Sequence, residues 1–377
     1  MQIYLHMSKK SSTFAPAKVK RIFFIGLLLV CWTIGSAKER VLERVVLYPS
    51  HDQYGDSLTL SGKLCVPEDR KPKGIILLPH WTISDAAEAP SRKVTGEAKY
   101  FIQDYVLVMP DYIGYGVSGD RMHPYLHGEL TARNTVDMML HCQPILDSMA
   151  LGIPTDSIFI VGYSQGGATA LWTLKLIEEE YAERIHVRHC FAGGSPCDVA
   201  SIYDEAVRHN AASVPPEIPM LVLGTSASYG LNLKREDFFT PAMIRAYDRY
   251  IAPQDKSIIQ LYFLMPNHKL SHWMTPAGMD KSQPETRRFY EGMLRSSLVH
   301  YDLDGGEADS ICPEWRPTAP LYVFQSKNDR LVSYMNGAHL RRCLGERANI
   351  SWDFGRYGDH MAALHVFMNK VKKMIGN

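Results

Sequence analysis

From residue 40 onward the chain alternates short, almost wholly apolar runs with segments of helix length. The runs fall at 74–78, 105–109, 158–161, 190–192, 321–324 and 350–354. A strand buried on both faces has no polar alternate positions, so such runs fit a parallel sheet covered on both sides by helices. Helical patterns at 132–150, 166–181, 334–343 and 361–375 alternate with them. An earlier pair of runs, 41–48 and 58–66, brackets the turn-rich 51–56 and reads as antiparallel. The expected class is therefore α/β, a mostly parallel twisted sheet with helices on both faces. At 377 residues and 46% hydrophobic content, the chain can bury a large core without metals or disulfides to staple it. Disordered, collagen-like and small cysteine-rich scaffolds are excluded.

One interval breaks the rhythm. Residues 198–319 carry scattered Pro, Tyr and Met with no βα repeat, too long a stretch for a plain connection. It reads as a mostly helical insertion forming a cap, with Tyr247, Tyr250, Tyr262 and Phe263 as part of its core. The expected organisation is then 1–37 as an export signal, 38–197 and 320–377 as two parts of one core, and 198–319 as the cap. The acidic stretch from Asp302 to Asp309 lacks the ligand spacing and glycine of a calcium loop and reads as a solvated loop.

Net charge sharpens the N-terminal reading. Lys and Arg total 41 against 40 Asp and Glu, a formal +1, without the basic excess of a nucleic-acid binder. Lys9, Lys10, Lys18, Lys20 and Arg21 all precede the apolar run 22–34, which ends in Gly35-Ser36-Ala37. Basic flank, short apolar stretch and small residues make a secretory signal with cleavage near Ala37. Thirteen helical residues span about 20 Å, short of the ~30 Å hydrocarbon core, so a permanent anchor is disfavoured. Val30 before Cys31 argues against a lipoprotein, and Met7 offers an alternative start. The expected location is secreted or periplasmic, with membrane contact only through the signal. Cleavage leaves a mildly acidic chain with Cys65, Cys142, Cys190, Cys197, Cys312 and Cys343, whose pairing stays open.

The most informative motif is Gly162-Tyr163-Ser164-Gln165-Gly166. G-x-S-x-G alone arises by chance in roughly one chain in ten of this length. Here an apolar strand enters and an apolar helix leaves, the context of a nucleophile elbow. Gly162 and Gly166 supply the small neighbours such a turn needs, and Ser164 is the expected nucleophile. A serine hydroxyl needs a positioned base. Of fifteen histidines, His360 lies in a loop between the last strand and the last helix. His365, inside that helix, reads as a packed core residue, while His123 and His127 fit either binding or solvation. The base needs a carboxylate to orient it. Asp329, just past the penultimate strand, is expected there, with Asp198 as the alternative and Asp359 as a solvated loop acid. The oxyanion is expected to meet the backbone N–H groups of Gln165 and Thr82, with Trp81 as the second choice to Thr82. His80 reads as structural in the 79–82 turn.

These residues resemble the α/β-hydrolase superfamily over nearly all of the chain beyond residue 37. Within it, Pro110-Asp111-Tyr112-Ile113-Gly114-Tyr115-Gly116-Val117-Ser118 and His123-Pro124-Tyr125-Leu126 resemble the exported secretory-lipase-like hydrolases of bacteria and fungi. Their acid pattern is echoed by Asp329-Arg330-Leu331-Val332-Ser333-Tyr334-Met335-Asn336, with Ser333 where a proline is usual. Asp111 and Tyr112 read as loop scaffolding. Trp81 stands where many relatives have glycine, which would put an indole at the acyl side of the pocket. The resemblance implies an α/β-hydrolase fold with a cap before the acid-bearing strand. It further implies a serine esterase acting on a small-molecule, lipid or glycan ester without metal or organic cofactor. A peptidase on short peptides or an acyltransferase is the alternative, and a non-catalytic binding protein is the third reading.

Overall fold

The computed structural model describes residues 40–153, 157–302 and 306–376. The proposed signal segment lies outside the described residues, as do Leu303, Asp304 and Gly305 of the acidic stretch. Two long antiparallel strands, β1 (Val41–His51) and β2 (Ser57–Pro67), open the fold, followed by β3 (Ile75–Leu77) and β4 (Val106–Pro110). Helix α1 (Gly128–Ser148) leads into β5 (Ile158–Tyr163), α2 (Gln165–Glu180) and β6 (Val187–Gly193).

Between β6 and the next core strand come α3 (Val199–His209), α4 (Glu217–Tyr229), α5 (Arg235–Phe238), α6 (Pro241–Ala246), α7 (Ile258–Leu264), α8 (Leu270–Trp273) and α9 (Pro284–Ser296). A two-stranded hairpin, β7 (His300–Asp302) and β8 (Gly306–Ile311), follows. The chain ends with β9 (Leu321–Ser326), α10 (Tyr334–Leu344), β10 (Ile350–Gly355) and α11 (His360–Gly376).

The main sheet has eight strands in the order β1-β2-β4-β3-β5-β6-β9-β10. β1, β2 and β4 pair antiparallel, and every pair from β4 to β10 is parallel. Strand parity explains the apolar runs. Ile75, Leu77, Ile158, Ile160, Leu321 and Val323 join the core on the α1, α2 and α10 side. Their neighbours Ile76, Phe159, Val161, Tyr322 and Phe324 join the opposite core, against Phe101 and the α11 residues Phe367 and Met368. Both faces of these central positions are dry, and the polar residues Gln325 and Ser326 come only at the end of β9, where their side chains hydrogen-bond to loop backbone.

The inserted helices build a third core around Phe238, Phe239, Met243, Phe289 and Met293. The α9 pair Phe289 and Met293 sits four residues apart, one helical turn on one face. Tyr247 and Tyr250 pack against this core. Tyr262 and Phe263 do not, contrary to the sequence expectation: Phe263 is 74% exposed. Helix α7 is only seven residues long and apolar except for Gln260, which closes its capping box, and among its residues Leu261 alone is buried.

Cys312 and Cys343 form a disulfide that ties the segment after β8 to the end of α10. The four other cysteines of the described residues are free and buried. No helix among the described residues is long and apolar enough to cross a membrane.

Candidate active site

β3, β5, β9 and β10 run parallel, so their C-terminal ends meet along one edge, beside the point where the strand order reverses. Open α/β sheets leave a crevice there. Ser164 and Asp329 sit in the connections leaving β5 and β9, and His360 stands at the start of α11, just past the loop that leaves β10.

Ser164 links β5 to α2 with φ 58° and ψ −126°, a conformation that costs a non-glycine residue about 1–3 kcal/mol. The turn is this sharp because strand and helix backbones nearly touch. A Cβ on Gly162 would lie 2.0 Å from the Gly166 carbonyl oxygen, and one on Gly166 would lie 2.2 Å from the Pro79 carbonyl oxygen. The second approach also presses the 79–82 loop onto the start of α2. Ser164 N–H donates to the Gly193 carbonyl (2.9 Å), and its own carbonyl accepts from Gly167 and Ala168. Its side chain makes no capping bond. The Oγ is instead 2.9 Å from His360 Nε2.

His360 is the first residue of α11 and is buried. Its Nδ1–H donates to Asp329 Oδ2 at 2.6 Å. The other carboxylate oxygen, Oδ1, accepts from the backbone N–H groups of Leu331 (2.9 Å) and Val332 (3.0 Å). The two loops are pinned together by Ser326, whose Oγ donates to the Gly358 carbonyl (2.6 Å) and accepts from Tyr357 N–H. Tyr163 Oη–H donates to the His360 carbonyl at 2.7 Å.

Asp198, the alternative acid, is occupied elsewhere. Its oxygens accept from His300 Nδ1 (2.9 Å), His339 Nδ1 (2.8 Å) and the Ser201 N–H, at the start of α3. Asp359 stays exposed, yet caps α11 through the Ala362 N–H (2.9 Å). His365 departs from expectation: it is exposed on α11 and bonded to the Tyr100 hydroxyl (2.8 Å).

Near Ser164, the N–H groups of Gln165 and Thr82 make no hydrogen bond among the described residues, whereas Trp81 N–H donates to Glu97 Oε1 (3.0 Å). Trp81 is therefore spoken for, and Thr82 is left as the available donor of its loop. The Trp81 indole packs on Ile83, Tyr112 and Tyr115 and lies over Gly96, where a Cβ would meet it at 2.8 Å. It is absent from the described lining of the Ser164 cavity, so the expected intrusion on the acyl side is not seen.

His80 is buried, stacked on Tyr112, and its ring faces the Trp81 carbonyl at 2.5 Å. Asp111 is fully buried and accepts from Ser61 and from Ser91 N–H, as scaffolding does.

Three supports went unread in the sequence. His123 is buried and neutral: burial pulls its pKa down to about 3. Its Nδ1–H donates to the Ile113 carbonyl (2.7 Å), so its Nε2 accepts from Gln165 Nε2 (2.8 Å) and holds that side chain. Glu97 is 1% exposed, with Oε2 unpartnered. Glu217 lines the Ser164 cavity. His123 belongs to a motif already noted, but an acid at the first turn of a helix carries no signal that distinguishes it.

Burial pushes the Glu97 carboxyl from its ordinary 4.5 up to about 7. A group whose pKa rises on folding contributes stability fully below its unfolded value and loses it as pH climbs through the folded value. Glu97→Gln keeps the acceptor for Trp81 N–H. It is expected to retain kcat while flattening the fall in Tm between pH 5 and 8. Glu97→Ala frees the Trp81–Thr82 loop, and kcat is expected to drop about tenfold with little change in KM. Equal losses in both variants would mean that the bond to Trp81 is not what matters.

The cavity before Ser164 measures about 180 Å³. Its walls include Leu126, Ile202, Val222 and Phe289, and no group of metal-binding side chains occurs among the described residues.

The sequence matches no family model and no curated relative. Solved structures are similar in shape. The rice cell wall degrading esterase LipA from Xanthomonas oryzae shares 20% identity over 90% of this chain and 91% of its own, with a TM-score of 0.71. A putative hydrolase from Legionella pneumophila has 19% identity, coverage of 90% and 89%, and a TM-score of 0.68. Candida antarctica lipase A in its closed state has 16% identity, coverage of 89% and 78%, and a TM-score of 0.63. With this sheet order and these neighbours, the chain has the α/β-hydrolase fold.

Proposed function

We propose that the protein is an exported serine hydrolase that cleaves carboxylic esters through a Ser164-His360-Asp329 triad. The observation that carries this is the hydrogen-bonded chain Ser164 Oγ to His360 to Asp329, opening on a cavity at the elbow. As Ser164 Oγ attacks the ester carbonyl carbon, its proton passes to His360 Nε2. The tetrahedral oxyanion is held by the N–H groups of Gln165 and Thr82, at the positive end of α2. Collapse breaks the bond to the alcohol oxygen, which takes the proton from His360 and leaves an acyl-Ser164 ester. Water, deprotonated by His360, repeats the addition and frees the acid. Asp329 keeps Nδ1 protonated and stabilises the imidazolium.

The named esterase and lipase among the structural neighbours favour esters over amides. The Cys312–Cys343 disulfide fits an oxidising compartment and so supports export. A series of p-nitrophenyl esters of increasing chain length, run beside aminoacyl anilides, tests the reading. Ester turnover should exceed anilide turnover by at least about a hundredfold. Faster anilide cleavage would move the protein to the peptidases.

A further inference from the structure

Thr82, whose backbone N–H is assigned to the oxyanion, has a side chain that the reaction above leaves without a task. Its Oγ1 lies 2.9 Å from Tyr125 Oη, and both residues are buried. Each hydroxyl has one proton to give and lone pairs with which to accept. The bond between them uses one proton, and among the described residues neither side chain has another hydrogen-bond partner. One O–H is therefore left over, and a buried donor calls for an acceptor. Tyr125 stands in the wall of the cavity that holds Ser164, while the 79–82 loop is pressed onto the start of α2. The pair thus bridges the oxyanion loop and the cavity, and the acceptor is the oxygen that arrives with the substrate.

Which proton is spare follows from how the two groups are held. Tyr125 is fixed: its N–H donates to the His123 carbonyl (2.8 Å), and a Cβ on Gly224 of α4 would lie 2.7 Å from its backbone nitrogen. Burial also holds its phenol well above the ordinary tyrosine range, so it stays a donor wherever an imidazole works as base. A phenol O–H keeps to the plane of its ring, whereas a threonine O–H turns about the Cβ–Oγ bond to suit its acceptor. The Tyr125 proton therefore goes to Thr82 Oγ1, and the Thr82 proton is the one free to turn.

Resting on the ester-hydrolase reading, we propose that the Thr82 side-chain hydroxyl is a third oxyanion donor, beside the Gln165 and Thr82 N–H groups. Tyr125 is its positioning residue: by donating to Oγ1 it keeps the Thr82 proton for the reacting oxygen and polarises that O–H. A donor already aimed at the site where charge develops needs no reorganisation during the reaction.

Steady-state kinetics on p-nitrophenyl butanoate, read beside thermal denaturation, test this. Thr82→Val keeps the backbone N–H and nearly the same shape but lacks the hydroxyl. Its kcat should fall about a hundredfold, with KM changed by less than about threefold. Thr82→Ala should fall equally, and Thr82→Ser, which restores the hydroxyl, should recover most of the loss. Tyr125→Phe leaves the donor present but no longer aimed, and should lose about tenfold. Combining Thr82→Val with Tyr125→Phe should be no slower than Thr82→Val alone, because Tyr125 acts only through Thr82. A trifluoromethyl ketone forms an oxyanion adduct with Ser164, so its inhibition should weaken in step with kcat/KM across the series. A contact that merely held the loop would lower melting temperatures and leave that proportion behind. Ester hydrolysis at full kcat in Thr82→Val, or a larger loss in Tyr125→Phe than in Thr82→Val, overturns this inference alone. An unaltered protein that hydrolyses no ester defeats the esterase reading, and the inference with it.

Discussion

Replacing Ser164 with alanine is expected to lower kcat by about 10⁶-fold, with loss of covalent labelling by a fluorophosphonate, while the melting temperature stays the same. The elbow explains why the two effects separate. Ser164 is held at φ 58° by the backbone around it, since its N–H is bonded to Gly193 and its carbonyl to Gly167 and Ala168. Alanine inherits these bonds and the same strain, so removing the hydroxyl leaves the turn intact. Only the hydrogen bond between Oγ and His360 Nε2 disappears. Ser164→Gly should lose activity to the same degree but gain stability, by about 1 kcal/mol or more, because glycine adopts a positive φ without penalty. Gel fluorescence after labelling reads the first effect and thermal denaturation the second. Labelling of Ser164→Ala at the native level would place the nucleophile elsewhere.

The fold was legible in the sequence to different depths. Core strands such as 158–161 and 321–324 announced themselves because both faces are buried, leaving an unbroken apolar run. Their ends were less clear: β6 extends back to Val187 through Arg188 and His189, whose polarity hides the strand. The helices of the inserted segment were visible only as a break in rhythm. Their apolar residues serve a local core, and several, like Phe263, serve no core at all.

In the site, Ser164 could be read from the Gly162-Tyr163-Ser164-Gln165-Gly166 motif in its strand-to-helix setting and His360 from its place between the last strand and the last helix, because α/β sheets deliver their chemistry at strand ends. The choice between Trp81 and Thr82 could not. It depends on Glu97 taking one N–H across sixteen residues of sequence, a pairing with no local pattern. The same holds for Glu217, which lines the Ser164 cavity from the first turn of α4 in the inserted segment.

The two candidate acids give the second large effect, and their structural difference predicts opposite phenotypes. Asp329→Asn is expected to cut kcat by about 10⁴-fold and to shift the melting temperature little. Asp329 Oδ1 accepts the Leu331 and Val332 N–H groups, and an asparagine must keep its carbonyl oxygen there to satisfy both. Its amide NH₂ is then turned toward His360 Nδ1, which becomes an acceptor. The ring proton moves to Nε2, and the base can no longer take the proton of Ser164.

Asp198→Asn acts on the fold instead. Asp198 is fully buried and accepts from two imidazole N–H groups and the N-terminus of α3, joining that helix to His300 of β7 and His339 of α10. An NH₂ set against either imidazole N–H removes a buried acceptor, at a cost on the order of 3 kcal/mol. Its melting temperature should fall by several degrees, while kcat per folded molecule stays within about threefold of the unaltered protein. Active-site titration with the fluorophosphonate supplies the folded, competent fraction needed for that comparison. If Asp198→Asn proved the slow enzyme and Asp329→Asn the unstable one, the acid would have to be reassigned to the end of β6.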